Sequence, residues 1–427
     1  MKIQTRLKTL FSYLDRILKI DSTYLAKGSF WLAVGQTSSA LAGLFLAIIF
    51  ANFLPKETYG TYKYVLSVIS ILTITTLPGI ATTLAQAVAE GKEGSFIPSL
   101  YVRIKYGVVG ALAAIGVAVF YYVWKNDHVV SFAFIIAALF LPFMDPVGMY
   151  GMFLHSKKEF KQSAIYFIKS QSTVLLIMVT AALLTKNILV ILLSYFVTWT
   201  VTRFICLRQT LKVFPPNTIE SPHVIPYGFH ISLLNVIGQI AESVDSLLLF
   251  NFIGPAQVAI YAISVSPTEQ IRSLFKNIPT VSIPKLAKRT VAEINAVLWK
   301  RMLYLFGIGT ALSAIFVIVM PFLFTIVYHK YSEGIHFAQW YAPTLALRLP
   351  LSFLSAVTQA KLTQFKKKWL YFGTIPNIIL IGSLIIFTPL YGIVGILICR
   401  YINLFLTFGA GIMQWILLSK QSQRQLI

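Results

Sequence analysis

NFLPKETYGTY, residues 52–62, decides how the chain folds. It closes an apolar run that begins near Gly28, turns the chain through Pro55 and Gly60, and opens a second apolar run. The same plan returns at residues 251–261, NFIGPAQVAIY, with Asn, Phe and Tyr in the same places. A second echo follows: KKEFKQSAIYF at 157–167 comes back as LTQFKKKWLYF at 362–372, keeping Phe160/Phe365, Lys161/Lys366, Tyr166/Tyr371 and Phe167/Phe372. Both echoes recur after about 200 residues, so the chain reads as two halves of one plan in tandem.

Composition says in what solvent those halves fold. Of the 427 residues 12% are charged and 57% hydrophobic, and the mean hydropathy of +0.75 is that of a membrane protein. The net charge of +22 does not mark a nucleic-acid binder, because the basic residues sit in short links between runs too apolar to leave in water. Cys206 and Cys399 lie inside apolar segments far apart, which gives neither a disulfide framework nor a Cys-rich metal site. No secretory signal is evident at the start of the sequence.

Residues 1–27 place Leu7, Leu10, Phe11, Leu14, Ile17 and Leu18 at helical spacing among Arg6, Lys8, Arg16 and Lys19, an amphipathic basic helix suited to the cytoplasmic leaflet. Runs long enough to span a bilayer follow at 28–54, 60–86, 106–124, 129–153, 164–184 and 188–206, which make an N-terminal six-helix bundle over 28–206. A polar, Pro-rich link at 207–228 (containing PPNTIESPHVIP) falls on the half boundary. Six more spans fit at 229–253, 258–281, 302–328, 340–360, 369–389 and 391–418, a C-terminal bundle over 229–418 with a tail at 419–427. The last two are separated only by a turn that Pro389 and Gly392 must supply. Lys and Arg accumulate in the N-terminus, the even-to-odd links and the tail, so the positive-inside rule puts both termini in the cytoplasm.

Charges within the spans cluster in the second half. Asn235, Gln239, Glu242 and Ser246 form one stripe on the seventh span with Asp245 one turn from Glu242, and Glu269, Arg272 and Lys276 share a face of the eighth. Asp145 lies between Pro142 and Pro146, Arg348 precedes Pro350, and Arg400 is on the last span. Ion pairs such as Glu269 with Arg272, or Asp145 with Arg348, account for any one of them. A water-filled cavity, to which Gln36 and Ser39 of the first span would contribute, accounts for the set. Enzyme signatures are sparse: the six histidines sit in or beside links or at the start of the seventh span, and there is no HExxH, GxSxG or GxxxxGK[ST] sequence. The chain therefore reads as a non-enzyme without a cofactor.

The stretch 28–72, GSFWLAVGQTSSALAGLFLAIIFANFLPKETYGTYKYVLSVISIL, resembles the opening of the polysaccharide transporter family. These are the Wzx-type oligosaccharide flippases of the superfamily that also holds the multidrug and toxin extruders. The hallmarks are Leu54, Pro55, Gly60 and Tyr62 in the first half and Asp245, Gly254, Pro255 and Tyr261 in the second, with Ala259 where many members have Gly. The resemblance implies an all-α polytopic fold of about 12 spans, in two six-helix bundles around a V-shaped cavity that opens alternately to each side. It also implies a cargo, undecaprenyl-pyrophosphate-linked oligosaccharide repeat units crossing the bacterial inner membrane for O-antigen, capsule or exopolysaccharide assembly. The implied partners are that lipid-linked oligosaccharide, membrane lipids and polysaccharide polymerase or export machinery, with no nucleic acid.

Within that frame Arg272, Lys276, Arg348 and Arg400 are the expected cations for the pyrophosphate, and Gln36, Asn235 and Gln239 the hydrogen-bonding groups for sugars. Asp145, Glu242, Asp245 or Glu269 is the expected acid through which a proton or Na+ gradient would be coupled, and no metal site is expected. The nearest alternative is a cation-coupled multidrug antiporter of the same fold, which would favour acids in its cavity and on its first span. A polymerase or ligase acting on the same lipid-linked substrate would need a larger outer loop than the one at 329–339.

Overall fold

Backbone polar groups inside hydrocarbon must be satisfied within their own segment, so the apolar runs form helices. The structure, a computed structural model, describes residues 22–275, 286, 289–361 and 371–424. The basic segment 1–21, the counterpart repeat at 362–370 and Lys276 lie outside the described residues. Among the described residues there are helices and turns and no strand.

The quoted turn behaves as its residues require. Helix α1 (Ser22–Phe53) ends at the Phe, and Pro55, with its fixed φ, stands immediately before α2 (Lys56–Leu72). The second copy repeats this between α9 (Val224–Phe252) and α10 (Pro255–Phe275). Helix α2 breaks at a 3-10 turn, Thr73–Thr76, and resumes beyond Pro78 as α3 (Gly79–Ala89) after a bend of 50°. Then come α4 (Phe96–Val123), α5 (His128–Met144), α6 (Tyr150–Ser156), α7 (Phe160–Leu184) and α8 (Ile188–Val213). The second half continues with α11 (Val291–Ile326), α12 (Ile335–Tyr341), α13 (Thr344–Ala360) and the helical stretch α14 (Ile375–Arg424).

Eight helical stretches, one of them α5 continued through α6, are each long and apolar enough to cross a membrane, and the bent pair α2–α3 makes a ninth. The remaining spans escape that criterion for visible reasons: Gln257, Glu269, Gln270 and Arg272 together make α10 too polar, α13 has only 17 residues, and α14 counts as one helix although it doubles back. Gly392 has φ 56°, which favours glycine. A Cβ on Gly395 would lie 2.3 Å from the carbonyl oxygen of Phe387, whereas eight residues along a continuous helix would span about 12 Å. Farther from the turn, the Asn403 amide donates to the carbonyl of Pro376 at 3.0 Å. The short turn read from Pro389 and Gly392 thus separates two antiparallel arms, and twelve passes result.

Several expected boundaries move, among them the start of the ninth span, at Val291 in place of 302. The third span begins at Phe96, not 106, which takes Arg103 and Lys105 into a helix. The link at 207–228 is helical up to Val213 and again from Val224. The outer segment 329–339 is a 3-10 turn running into α12.

The two copies of the motif meet each other. Gly60 lies against the main chain of Pro255, and Tyr64 stacks on Phe250 with ring centroids 3.9 Å apart. Around this contact the repeated asparagines reach in opposite directions: Asn52 donates to the carbonyl of Val327 (2.9 Å), and Asn251 accepts from the Tyr121 hydroxyl (2.9 Å). Each therefore ties its own half to the third span of the other. The bent pair follows α9 along the molecule, with Gln239 donating to Ser70 (2.7 Å), Gly79 N to Ser232 (2.9 Å) and Thr83 to the Val224 carbonyl (2.8 Å). Large apolar side chains such as Leu184, Leu303 and Ile326 cover the outside, as lipid contact demands.

Candidate functional site

A cavity of ≈ 670 Å³ opens among α9, α10, α12, α13 and both arms of α14, and among the described residues its walls come from the second half. Helical spacing brings its polar groups to one place: Glu242 and Asp245 on α9, Glu269 and Arg272 on α10, and Arg400, Asn403 and Thr407 on the second arm of α14. Pro343 separates α12 from α13, and Tyr341 and Arg348 on either side of that break converge on the same spot.

The charges are arranged as two networks. In one, Arg400 grips Asp245 with two nitrogens, Nε to Oδ2 at 2.8 Å and Nη2 to Oδ1, while the Tyr261 hydroxyl donates to Oδ2 at 2.6 Å. In the other, Glu269 accepts from Arg348 Nη1 (2.7 Å), Arg272 Nη1 (2.8 Å) and the Tyr341 hydroxyl. Arg272 also approaches Glu242 at 3.9 Å. Exposure separates wall from surface: the side chains of Asp245 and Arg400 are 4% and 15% exposed, those of Arg272 and Glu242 47% and 63%. The first network braces α9 to α14, and the second faces the cavity.

Of the residues singled out from sequence, Arg272, Arg348, Arg400, Glu242, Asp245 and Glu269 share this one cavity. The expected positive excess is not there among the described residues, since three acids face three arginines. Gln36 and Asn235 are not in its lining; Gln36 is half-buried on α1 and Asn235 is exposed. Gln239 serves the contact between halves through Ser70. Tyr261 and Tyr341, which complete the two networks, are not among the site residues that sequence suggests, nor are Ser352, Ser355, Asn377 and Asn403 in the lining. Tyr261 is visible in the sequence as the repeat of Tyr62; Tyr341 has no sequence signal beyond lying near Arg348. Among the described residues no group of three His, Cys, Asp or Glu could hold a metal.

Asp145 lies elsewhere, and its expected pairing with Arg348 is not found. It pairs instead with Arg103 on α4 and accepts from Thr76 (3.0 Å), while Arg103 Nε donates to the Thr76 carbonyl at 2.9 Å. Arg203 adds a bond to the Met144 carbonyl at 2.6 Å. Two helix breaks, at Thr76 and at Asp145, leave carbonyls without helical partners, and two arginines take them. Asp145→Asn should therefore lower the melting temperature of the detergent-solubilised protein, by a loss of about 3 kcal/mol, because it leaves the buried Arg103 without a counter-charge. Melting at the wild-type temperature would show that the pair braces nothing.

Residues 25–290 match the family described as polysaccharide biosynthesis protein. The chain belongs to that family. No curated protein sequence is significantly similar to the chain. Among solved structures, a MATE in complex with MaD5 is 14% identical, with 93% of this chain and 96% of that one covered at a TM-score of 0.63. The outward-facing conformation of a multidrug resistance MATE family transporter of the MOP superfamily is 12% identical, with 94% and 96% covered at 0.61. A MOP superfamily transporter from Pyrococcus furiosus, described as having a binding pocket of reversed polarity, is 15% identical, with 92% and 96% covered at 0.63. At such identities the likeness establishes the fold: two helical bundles in the MATE arrangement, spanning a membrane.

Proposed function

We propose that this protein is a flippase that carries undecaprenyl-pyrophosphate-linked oligosaccharide repeat units across the bacterial inner membrane by alternating access, for O-antigen, capsule or exopolysaccharide assembly. The observation that carries the proposal is the second-half cavity, where three guanidinium groups lie among serine, threonine and asparagine side chains inside a membrane-spanning bundle. Pyrophosphate and sugar hydroxyls cannot cross hydrocarbon, whereas the polyprenyl tail need never leave it. Guanidinium groups suit the oxyanion, and amides and hydroxyls suit the sugars. A volume of ≈ 670 Å³ is in the range of small-molecule sites and suits the pyrophosphate and its first sugars. The family match supports the pathway, and the MATE fold supports transport rather than catalysis.

The basic links, by the positive-inside rule, support a scheme with both termini in the cytoplasm. Of the four acids considered for coupling to a proton or sodium gradient, Glu242 is the most open to exchange with water in the cavity, and we assign the role to it. Asp145 is engaged in the first half and Asp245 is held by Arg400.

Deleting the gene should abolish surface polysaccharide and leave lipid-linked repeat units on the inner leaflet. Complementation with Arg272→Gln should restore the protein to the membrane but reduce export by about tenfold or more, because Arg272 is exposed and Glu269 keeps Arg348 as its partner. Full export from the deletion strain, or from the Arg272→Gln strain, would refute the assignment.

A further inference from the structure

The two acids of the arginine networks are held in different ways. Asp245 is buried behind the fork of Arg400, with both carboxylate oxygens engaged by one guanidinium and a tyrosine. Glu269 is divided between two arginines on different helices, Oε2 to Arg272 on α10 and Oε1 to Arg348 on α13, with Tyr341 on α12 as the third donor. Its side chain is 31% exposed, at the cavity surface. A fork on one carboxylate suits permanence. Two guanidiniums and a phenol converging from three helices on one half-buried carboxylate suit a bound oxyanion, and here the position is filled by an anion tethered to the protein.

We propose that Glu269 is an internal competitor for the anionic group of the cargo. In the empty carrier it keeps Arg272 and Arg348 oriented and paired inside the membrane, where unpaired they would be costly. The pyrophosphate then takes both guanidiniums and releases the carboxylate. This rests on the flippase assignment above and adds to it a link between occupancy and movement. Gln270, the next residue, touches α1 of the first half at Gly43, where an added Cβ would come within 2.8 Å of its amide. Release of Glu269 therefore unties α10 from α12 and α13 beside the contact on which the halves turn against each other.

The test is calorimetric titration of inorganic pyrophosphate into the purified full-length protein. Wild type should bind, Glu269→Gln about tenfold more tightly. Glu269→Asp retains the charge but is too short to bridge both arginines, and it should bind about threefold more tightly than wild type. Glu242→Gln removes a carboxylate that approaches Arg272 alone, at 3.9 Å, and should tighten binding by clearly less than Glu269→Gln does. Tightening in Glu242→Gln equal to that in Glu269→Gln, or weaker binding in Glu269→Asp, would overturn the proposal by showing that only net charge matters. Binding to wild type with no change in either Glu269 variant removes the internal competitor and leaves the flippase assignment standing. An absence of binding to wild type and both Glu269 variants removes both. Should Glu269→Gln not fold, as judged by its melting curve, Glu269→Asp carries the comparison.

Discussion

Asp245→Asn should destabilise the protein by about 3–5 kcal/mol, because it leaves the Arg400 guanidinium inside a membrane span without its counter-ion. Asp245 and Arg400 stand 155 residues apart in sequence and join α9 to the last span through a two-pronged contact, with Tyr261 closing the third side. At 4% exposure the carboxylate has little water to replace its partner. Arg400→Gln should be comparably damaging, since it strands the acid. The double variant Asp245→Asn with Arg400→Gln should lose much less than the sum of the two, because no orphan charge remains. Melting of the detergent-solubilised variants followed by size-exclusion chromatography reads all three. Strictly additive losses, or a wild-type melting curve for Asp245→Asn, would mean that the two residues do not depend on each other.

The second large effect is expected from a single methyl group. A Cβ on Gly60 would stand 1.7 Å from the carbonyl oxygen of Pro255 and 2.5 Å from its carbon. Both are main-chain atoms that cannot swing aside, so α2 and α10 must part. Overpacking of this kind costs about 1–3 kcal/mol, but the functional cost is larger because this contact joins the halves. Gly60→Ala should reach the membrane, since each half keeps its own packing, and should export little or no polysaccharide. Lys56 and Glu333 pair across the same end of the molecule. Cysteines in their place should cross-link readily while Gly60 is kept and poorly when Gly60→Ala is added. Equal cross-linking together with normal export would show that the halves tolerate the displacement.

Much of this architecture is written in local patterns. Apolar runs, the repeated NF…P…Y turn and the Pro389/Gly392 pair each act over a few residues, and the helices and reversals they specify are those observed. The site is half legible for the same reason. The i, i+3 and i, i+4 spacings show that Glu242 shares a face with Asp245, and Glu269 with Arg272. Which arginine answers which acid depends on how helices pack. The Glu269–Arg348 bond spans 79 residues and has no periodic trace. Arg103 is misplaced by sequence because a positive charge flanking an apolar run looks like a span end, and only its partners, Asp145 and the broken turn at Thr76, explain why it lies buried. Gln36 lies on α1, which lends no residue to the cavity lining, and Asn235 lies on α9 seven residues before Glu242, outside that lining, a distinction that spacing alone does not contain.

The ion pairs also constrain how this protein can be recombined with its relatives. Each acid lies within the stretch shared with the family, residues 25–290, and each bridging arginine, Arg348 or Arg400, lies beyond it. A chimera that took its C-terminal tract from a relative lacking those arginines would strand Asp245 in the bilayer and leave Glu269 with Arg272 as its one arginine partner. The two tracts therefore have to be exchanged together, since grafting one alone separates acids from the arginines that pair with them.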